Sequence, residues 1–235
     1  MHASAAIGIM CKAPRPGHTK TRLAVMIGAE RAAALSACFL RDVAAAIEAV
    51  PESLGRKGYG IYAPAGAEAD LRQALPPSFG LMLQADANFG SLLHGAVVDL
   101  LAAHHDCVLL VNSDSPTLPA LFLAEAIEAL RRPGDRAVLG PASDGGYYLI
   151  GLKAAHPHLF KDIPWGTSEV TPLTMKRASQ INLEVALLPE WYDVDDAESF
   201  GWLREELAGH SRRFTSGGAA AATRALLASF AGAAQ

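Results

Sequence analysis

Short apolar runs alternate along the chain with longer segments in which apolar residues recur every three or four positions. The short runs predict strands, and the longer segments predict helices with one buried face. The predicted strands cover residues 5–10, 58–63, 79–84, 107–111, 137–139, 147–152 and 185–188. The predicted helices cover residues 29–50, 67–75, 91–105, 118–130, 169–179 and 197–207.

This alternation of strands and helices predicts an α/β fold. We expect a three-layer α/β/α arrangement around a mainly parallel mixed sheet. Residues 1–208 form one predicted domain. Residues 209–235 are rich in alanine and carry a break at 216–218, which is typical of a tail or an appended helix.

Composition and charge narrow the classes of function. The chain has 235 residues, of which 51% are hydrophobic, and a net charge of -4, which predicts no nucleic-acid surface. No window is long and apolar enough for a membrane span. The three cysteines, Cys11, Cys38 and Cys107, are far apart and lack the spacing of a metal site. A reducing, cytoplasmic setting is the simplest expectation.

The apolar run 107–111 is followed by a polar segment, 112–116 (NSDSP). A continuous apolar strand is typical of a parallel sheet buried on both faces, and ligands bind beyond the carboxyl ends of such strands. Asp114 lies at that position, where a carboxylate can hold a divalent cation against phosphate. The alternative is that Asp114 and Ser115 turn the chain and cap the next helix.

The loop after the first strand is basic and contains two prolines and Gly17. It carries four cations, Lys12, Arg15, Lys20 and Arg22. Because lysine and arginine bind phosphate oxygens and a strand–loop–helix segment suits an anion site, this loop is a candidate phosphate cradle. The alternative is a solvated basic loop. The segment lacks the glycine spacing of a P-loop.

Residues 144–146 (DGG) precede the predicted strand 147–152. They are compatible with a tight hairpin turn. Because glycines also allow a ligand to approach the backbone and Tyr147 offers a stacking surface, we favour a substrate site here. Further on, Trp165 precedes a predicted helix that Thr167 or Ser168 can cap.

Acidic residues follow the last predicted strand at Asp193, Asp195 and Asp196. In an extended segment, Asp193 and Asp195 project to the same side and can complete a metal site. The alternative is that Asp195 or Asp196 caps the helix that follows.

Several of these segments, in this order, resemble one bacterial family. It comprises glycosyltransferase-A-like (GT-A) proteins known as arsenosugar-biosynthesis-type glycosyltransferases. That family is similar to nucleotide-diphospho-sugar transferases and to the guanylyltransferases of molybdopterin and deazaflavin cofactor synthesis. The resemblance covers about residues 7–207 and rests on 12–17 (KAPRPG), 20–23 (KTRL), 112–116, 140–141 (GP), 144–149 (DGGYYL), 165–168 (WGTS) and 193–195 (DVD).

The resemblance implies a nucleotide-binding amino-terminal half and an acceptor side built from the carboxyl-terminal half. It implies that Asp114 is the metal aspartate and that Lys20 and Arg22 match basic residues of the related nucleotidyltransferases. One position departs from the family pattern. The usual Leu-Gly-Glu-Arg reads FGSL at 89–92, so Gly90 is kept but the charged pair is absent, which predicts a different substrate or lower activity.

These observations predict a transferase that uses Mg²⁺ or Mn²⁺ and a nucleotide or nucleotide-sugar donor with a small-molecule acceptor, most simply a glycosyltransferase. The alternatives are a nucleotidyltransferase acting on a nucleoside triphosphate and a phosphorylated acceptor, and a nucleotide-binding protein without catalysis. The predicted site residues are Asp114 and Asp144 for catalysis; Asp114, Asp193 and Asp195 for metal; Lys12, Arg15, Lys20, Arg22 and Gly90 for nucleotide; and Gly145, Gly146, Tyr147, Trp165 and Thr167 for substrate.

Overall fold

A computed structural model describes residues 4–214 and 217–232, without the side chains of 231 and 232. The first residue of the predicted break at 216–218, Ser216, lies outside these ranges. The strands are β1 Ala5–Lys12, β2 Arg56–Ala63, β3 Gly80–Leu83, β4 Cys107–Asn112, β5 Arg136–Pro141, β6 Tyr147–Leu152 and β7 Glu184–Leu187. The helices are α1 Thr21–Ile27, α2 Ala29–Glu48, α3 Glu68–Arg72, α4 Phe89–Ala102, α5 Ala120–Arg131, α6 Val170–Gln180, α7 Ala197–Leu207 and α8 Ala221–Gly232.

The seven strands form one sheet in the order β3-β2-β1-β4-β6-β5-β7. β1 pairs in parallel with β2 and β4, and β5 pairs in parallel with β7. β6 runs antiparallel to both of its neighbours, β4 and β5. The prediction of a mainly parallel mixed sheet is therefore confirmed.

Apolar cores cover both faces of the sheet, and this explains why β1 and β4 are continuously apolar. Ile9 and Leu109 point into the core under α2 and α5. Ala6 and Leu110, from the same two strands, point into the core under α4 and α6. Because successive side chains of a strand face opposite sides, a strand covered by helices on both sides needs apolar residues at every position. The predicted three-layer α/β/α fold is confirmed.

The helix predicted from residue 29 has a separate short helix before it. α1 and α2 are divided at Gly28, whose φ of +88° breaks the helical path. α1 begins at Thr21, at the end of the basic loop, where the strand–loop–helix pattern predicts the start of a helix.

The last helix, α8, packs against α2. The Asp42 carboxylate in α2 accepts hydrogen bonds from the backbone N–H groups of Ala222 and Thr223, both at 2.9 Å. A buried carboxylate thus satisfies amides at the start of α8 that no helical partner would satisfy. Among the helices that the structure describes, none combines the length and apolar character needed to cross a bilayer.

Candidate functional site

A cavity of about 770 Å³ opens at the carboxyl ends of β1 and β4. This large cavity lies where parallel α/β sheets usually bind ligands, and its volume suits a nucleotide-sized molecule. Its lining combines the basic loop after β1 with the loop after β4 and one residue from the segment before α7. The predicted site residues that line it are Lys12, Lys20, Arg22, Asp114, Asp144 and Asp195.

An ion-paired lysine lies at the centre of this lining. The Lys20 Nζ is 2.8 Å from Asp114 Oδ1 and 2.7 Å from Asp195 Oδ1. The Lys20 side chain is only 4% exposed, whereas Asp114 and Asp195 are 30% and 47% exposed. One ammonium group therefore joins two carboxylates from separate segments of the chain, the loop after β4 and the segment before α7.

Backbone and side-chain hydrogen bonds bring the two acidic segments together. The Val194 N–H donates to the Asp114 carbonyl at 2.9 Å. The Ser115 hydroxyl, which is fully buried, donates to the Tyr192 carbonyl at 2.8 Å. These bonds fix the loop after β4 against residues 192–194, so Asp195 is placed beside Asp114.

The sequence left open whether acidic residues of these two segments cap the helices that follow, and the structure answers differently for each. α5 begins after Pro119, and no side chain caps it, so Asp114 and Ser115 do not cap that helix. Asp196 caps α7 in a capping box with Ser199, as the second alternative predicted. Asp195 therefore remains available to face the cavity.

The charges of the site are strongly coupled. Burial acts to lower the pKa of Lys20, but the carboxylates of Asp114 and Asp195 outweigh burial and raise it. Burial, followed by the negative charges of Asp195, Asp144 and Asp114, raises the pKa of Asp193 to about 7. Lys20 thus stays charged, and the crowding of acidic side chains that raises the pKa of Asp193 also favours a cation at this site.

The donor set fits a hard divalent cation that also binds a substrate. Asp114 and Asp195 direct one oxygen each toward the point that the Lys20 ammonium contacts. Mg²⁺ is commonly held by one or two carboxylates, with phosphate oxygens and water completing its shell. In the parts of the chain that the structure covers, no group of three His, Cys, Asp or Glu side chains is arranged to hold a metal by itself. Two carboxylates and a phosphate therefore match this site better than a site built of protein ligands alone.

The basic loop divides its cations between two places. Lys12 and Arg22 are exposed and line the large cavity together with Lys20, His18 and Thr19. Arg15 lies apart from the lining, and its guanidinium pairs with Asp70 of α3 at 2.7 Å. The ion pair connects the proline-rich turn to α3, so Arg15 has a structural contact in place of the predicted contact with nucleotide.

A smaller cavity, of about 150 Å³, adjoins the large one. Met10, Phe89, Asn112, Asp144 and Gly166 line both cavities. The predicted substrate residues Gly146, Tyr147, Trp165 and Thr167 also line the small cavity, but Gly145 does not. Asp144 therefore lies where the two cavities meet.

The turn that carries Asp144 is a tight hairpin between β5 and β6. The Gly145 N–H donates to the Ala142 carbonyl at 3.0 Å, and the Gly146 N–H donates to Asp144 Oδ1 at 2.8 Å. Gly145 has a φ of +91°, and a Cβ there would lie 2.4 Å from Ser168 Cα. The hairpin is therefore present, and the close approach that Gly145 permits is made by Ser168 of the chain itself.

Gly90 supports the wall of the small cavity. It lies in the first turn of α4, where a Cβ would be 2.6 Å from the Phe160 carbonyl oxygen and 3.0 Å from Trp165 Nε1. Gly90 does not line the large cavity. Its position indicates that it lets Trp165 pack against α4.

Thr167 does not cap α6 in the predicted way. The N-cap residue of α6 is Glu169, and it makes no side-chain cap bond. The Thr167 hydroxyl instead donates to the Pro164 carbonyl at 2.8 Å and accepts from the Glu169 N–H at 3.3 Å. These bonds shape the loop that presents Trp165 to the small cavity.

Several lining residues were missed by sequence reasoning. Asn112 accepts a hydrogen bond from the Asp114 N–H at 3.3 Å and lines both cavities. Phe89 also lines both and is 46% exposed. The position of Asn112 directly after an apolar strand was a usable signal, but nothing local marked Phe89.

A family model described as "Uncharacterized protein conserved in bacteria (DUF2064)" matches residues 48–167, just over half of the chain. No curated protein matches the sequence.

Solved structures share the fold. A candidate nucleotide-diphospho-sugar transferase from Desulfovibrio desulfuricans G20 superposes with a TM-score of 0.84 at 28% identity, covering 98% of this chain and 96% of that one. A CMP:2-keto-3-deoxy-manno-octonic acid synthetase complexed with CTP has a TM-score of 0.58 at 11% identity, covering 89% and 100%. Glucosyl-3-phosphoglycerate synthase from Mycobacterium tuberculosis, in complex with Mn²⁺, UDP and glucosyl-3-phosphoglycerate, has a TM-score of 0.51 at 10% identity, covering 88% and 78%. The predicted similarity to the nucleotide-diphospho-sugar transferase fold is confirmed.

Proposed function

We propose that this chain, which belongs to the bacterial family DUF2064, is a metal-dependent transferase that uses a nucleotide-activated donor. Glycosyl transfer is the reaction we favour. The observation that carries the proposal is the convergence of Asp114 and Asp195 on one point at the edge of the large cavity. The likeness to the D. desulfuricans G20 protein supports the same class of substrate.

The donor side is the large cavity. Asp114 and Asp195 would hold Mg²⁺ or Mn²⁺, which when bound neutralises the diphosphate leaving group. Lys12, Lys20 and Arg22 bind phosphate oxygens by charge-assisted hydrogen bonds and stabilise the charge that develops on the leaving group. Burial and the neighbouring carboxylates raise the pKa of Asp193, and a bound cation would favour its ionised form.

The acceptor side is the small cavity, and Asp144 connects the two. Its backbone hydrogen bond from Gly146 fixes the direction of its carboxylate. In glycosyl transfer the acceptor oxygen forms a bond to the anomeric carbon as the bond to the diphosphate breaks. Asp144 would take the proton of the acceptor hydroxyl as general base.

Nucleotidyl transfer is the second candidate, and the number of cations favours it. Lys12, Lys20 and Arg22 line the same cavity, and a triphosphate matches three cations better than a sugar diphosphate does. The finer resemblances, to arsenosugar-type glycosyltransferases and to cofactor guanylyltransferases, belong to these two candidates respectively. We also retain a cytoplasmic location and a transferase domain ending near residue 208 as proposals.

Product analysis separates the candidates. The protein is incubated with Mn²⁺ and either nucleotide sugars or nucleoside triphosphates, together with a panel of small acceptors. Nucleoside diphosphate as the product supports glycosyl transfer, and pyrophosphate supports nucleotidyl transfer. Nucleotide binding with neither product would favour a protein that binds without catalysis.

The matched variants are Asp114→Asn and Asp86→Asn. We expect Asp114→Asn to abolish Mn²⁺-dependent nucleotide binding with the fold retained. Asp86 is an exposed loop acid that lines neither cavity, so its variant should behave as the wild type. Unchanged metal-dependent affinity in Asp114→Asn would remove Asp114 from the metal site.

A further inference from the structure

We propose that the small cavity binds an aromatic six-membered ring of the acceptor, and that this ring carries the hydroxyl that reacts. The proposal rests on the proposed function, since it assigns the small cavity to the acceptor. It adds the chemical class of that acceptor, a phenol-type molecule in place of a sugar or another polyol.

Three aromatic side chains form walls of the small cavity. The rings of Phe89 and Trp165 lie 5.0 Å apart at 79°, and those of Tyr147 and Trp165 lie 6.1 Å apart at 84°. Edge-to-face packing of this kind leaves ring faces and edges available to a further ring. Leu93 and Val170, which are 3% and 4% exposed, add aliphatic surface to the same cavity.

The size of the cavity limits the occupant. Its volume is about 150 Å³. An apolar cavity of about this size in another protein stays dry and binds benzene, which sets the scale for one six-membered ring. A nucleoside or a disaccharide is too large for this space and belongs in the large cavity.

The chemistry of the lining selects an aromatic ring over a polyol. A sugar ring brings several hydroxyl groups, and each one that is buried without a partner is unfavourable. The small cavity offers few polar groups. Thr167 already donates its hydroxyl to Pro164, and Asp144 and Asn112 lie where the two cavities meet.

The polar group at that border determines the orientation of the ring. A hydroxyl on the ring that points toward the large cavity meets Asp144, the proposed general base. During transfer the hydroxyl oxygen on the aromatic ring bonds to the anomeric carbon of the donor. The leaving diphosphate keeps the electron pair of the broken bond, and the proton of the hydroxyl passes to Asp144.

The test compares phenol with myo-inositol as probes, using saturation-transfer NMR on the full chain. Phenol should bind and inositol should not. Val170→Phe fills the small cavity, and we expect it to weaken phenol binding at least about tenfold. Val98→Phe is the control, because Val98 is partly exposed on α4 and lines neither cavity.

A second variant and a nucleotide-binding measurement distinguish failure of the acceptor proposal from failure of the proposed function. If Val170→Phe does not fold, Val170→Ile adds one methylene and should weaken phenol binding in the same direction. Val170 does not line the large cavity, so nucleotide binding with Mn²⁺ should be unchanged in both variants. Phenol binding that survives a folded Val170 variant, or inositol binding equal to that of phenol, would overturn the proposal. A wild-type protein that does not bind nucleotide in the presence of Mn²⁺ would instead overturn the proposed function.

Discussion

Replacing Lys20 by methionine removes the ammonium that Asp114 and Asp195 share and keeps a side chain of similar length over the Phe39 ring. The substitution eliminates two charge-assisted hydrogen bonds, of 2.8 and 2.7 Å, and such bonds contribute about 1.5–3 kcal/mol each when buried. Both acids are partly exposed, at 30% and 47%, so solvent screening reduces the free energy that these two bonds contribute. We expect a total loss of about 1–3 kcal/mol in the free energy of unfolding without metal.

The same substitution should raise the affinity for metal. In the wild type a divalent cation must displace the Lys20 ammonium from Asp114 and Asp195, whereas in Lys20→Met it need not. The free energy that the ammonium contributed then appears as tighter Mn²⁺ binding, by roughly tenfold to a hundredfold. Nucleoside diphosphate binding in the presence of Mn²⁺ should weaken, since the phosphate loses a cation.

Thermal unfolding with and without a chelator, together with calorimetric titration of Mn²⁺, measures these effects. For a chain of this size the expected loss lowers the Tm without metal by roughly 2–10 °C. Lys176→Met, at an exposed position in α6, is the control and should change neither quantity. Mn²⁺ binding to Lys20→Met that is no tighter than to the wild type would refute the assignment of Asp114 and Asp195 as metal ligands.

Three further predictions concern stability. Asp42→Ala removes the cap of α8 and should cost about 1–2 kcal/mol, with faster hydrogen exchange in α8; unchanged exchange would contradict this capping role. Gly145→Ala should destabilise the protein more than Gly166→Ala in urea unfolding, because both glycines have positive φ but only Gly145 meets Ser168; equal losses would show that the turn relaxes. Burial raises the pKa of Glu206, so the folded state holds this proton more firmly than the unfolded chain, and stability falls as pH rises through the raised pKa. Glu206→Gln should therefore gain stability relative to the wild type as the pH rises above the ordinary pKa of a glutamate, and a constant difference would disprove the shift.

The sequence predicted the sheet well because its strands are buried on both faces. Such strands are continuously apolar and end sharply in polar residues, so the run before Asp114 indicated both the strand and the candidate site. Asp195 was also a candidate, since Asp193 and Asp195 project to the same side of an extended segment.

The role of Lys20 was not predictable in the same way. The sequence indicated a phosphate ligand, but the side chain is buried between two acids, one of them 175 positions away. Gly90 and Gly145 were assigned to ligand contact, yet each faces another part of the chain, Trp165 and Ser168. Local sequence indicates that a glycine or a charge is needed, whereas the tertiary fold determines what it contacts.

A crystal of the protein grown with Mn²⁺ and a nucleoside diphosphate tests the central claim most directly. The claim predicts an anomalous Mn²⁺ peak at about 2.0–2.6 Å from oxygens of Asp114 and Asp195, the range of hard cations bound to oxygen. It also predicts diphosphate oxygens on the same ion and the Lys20 ammonium on a phosphate oxygen. A Mn²⁺ peak elsewhere, or a nucleotide outside the large cavity with Lys20 still joining the two carboxylates, would contradict it.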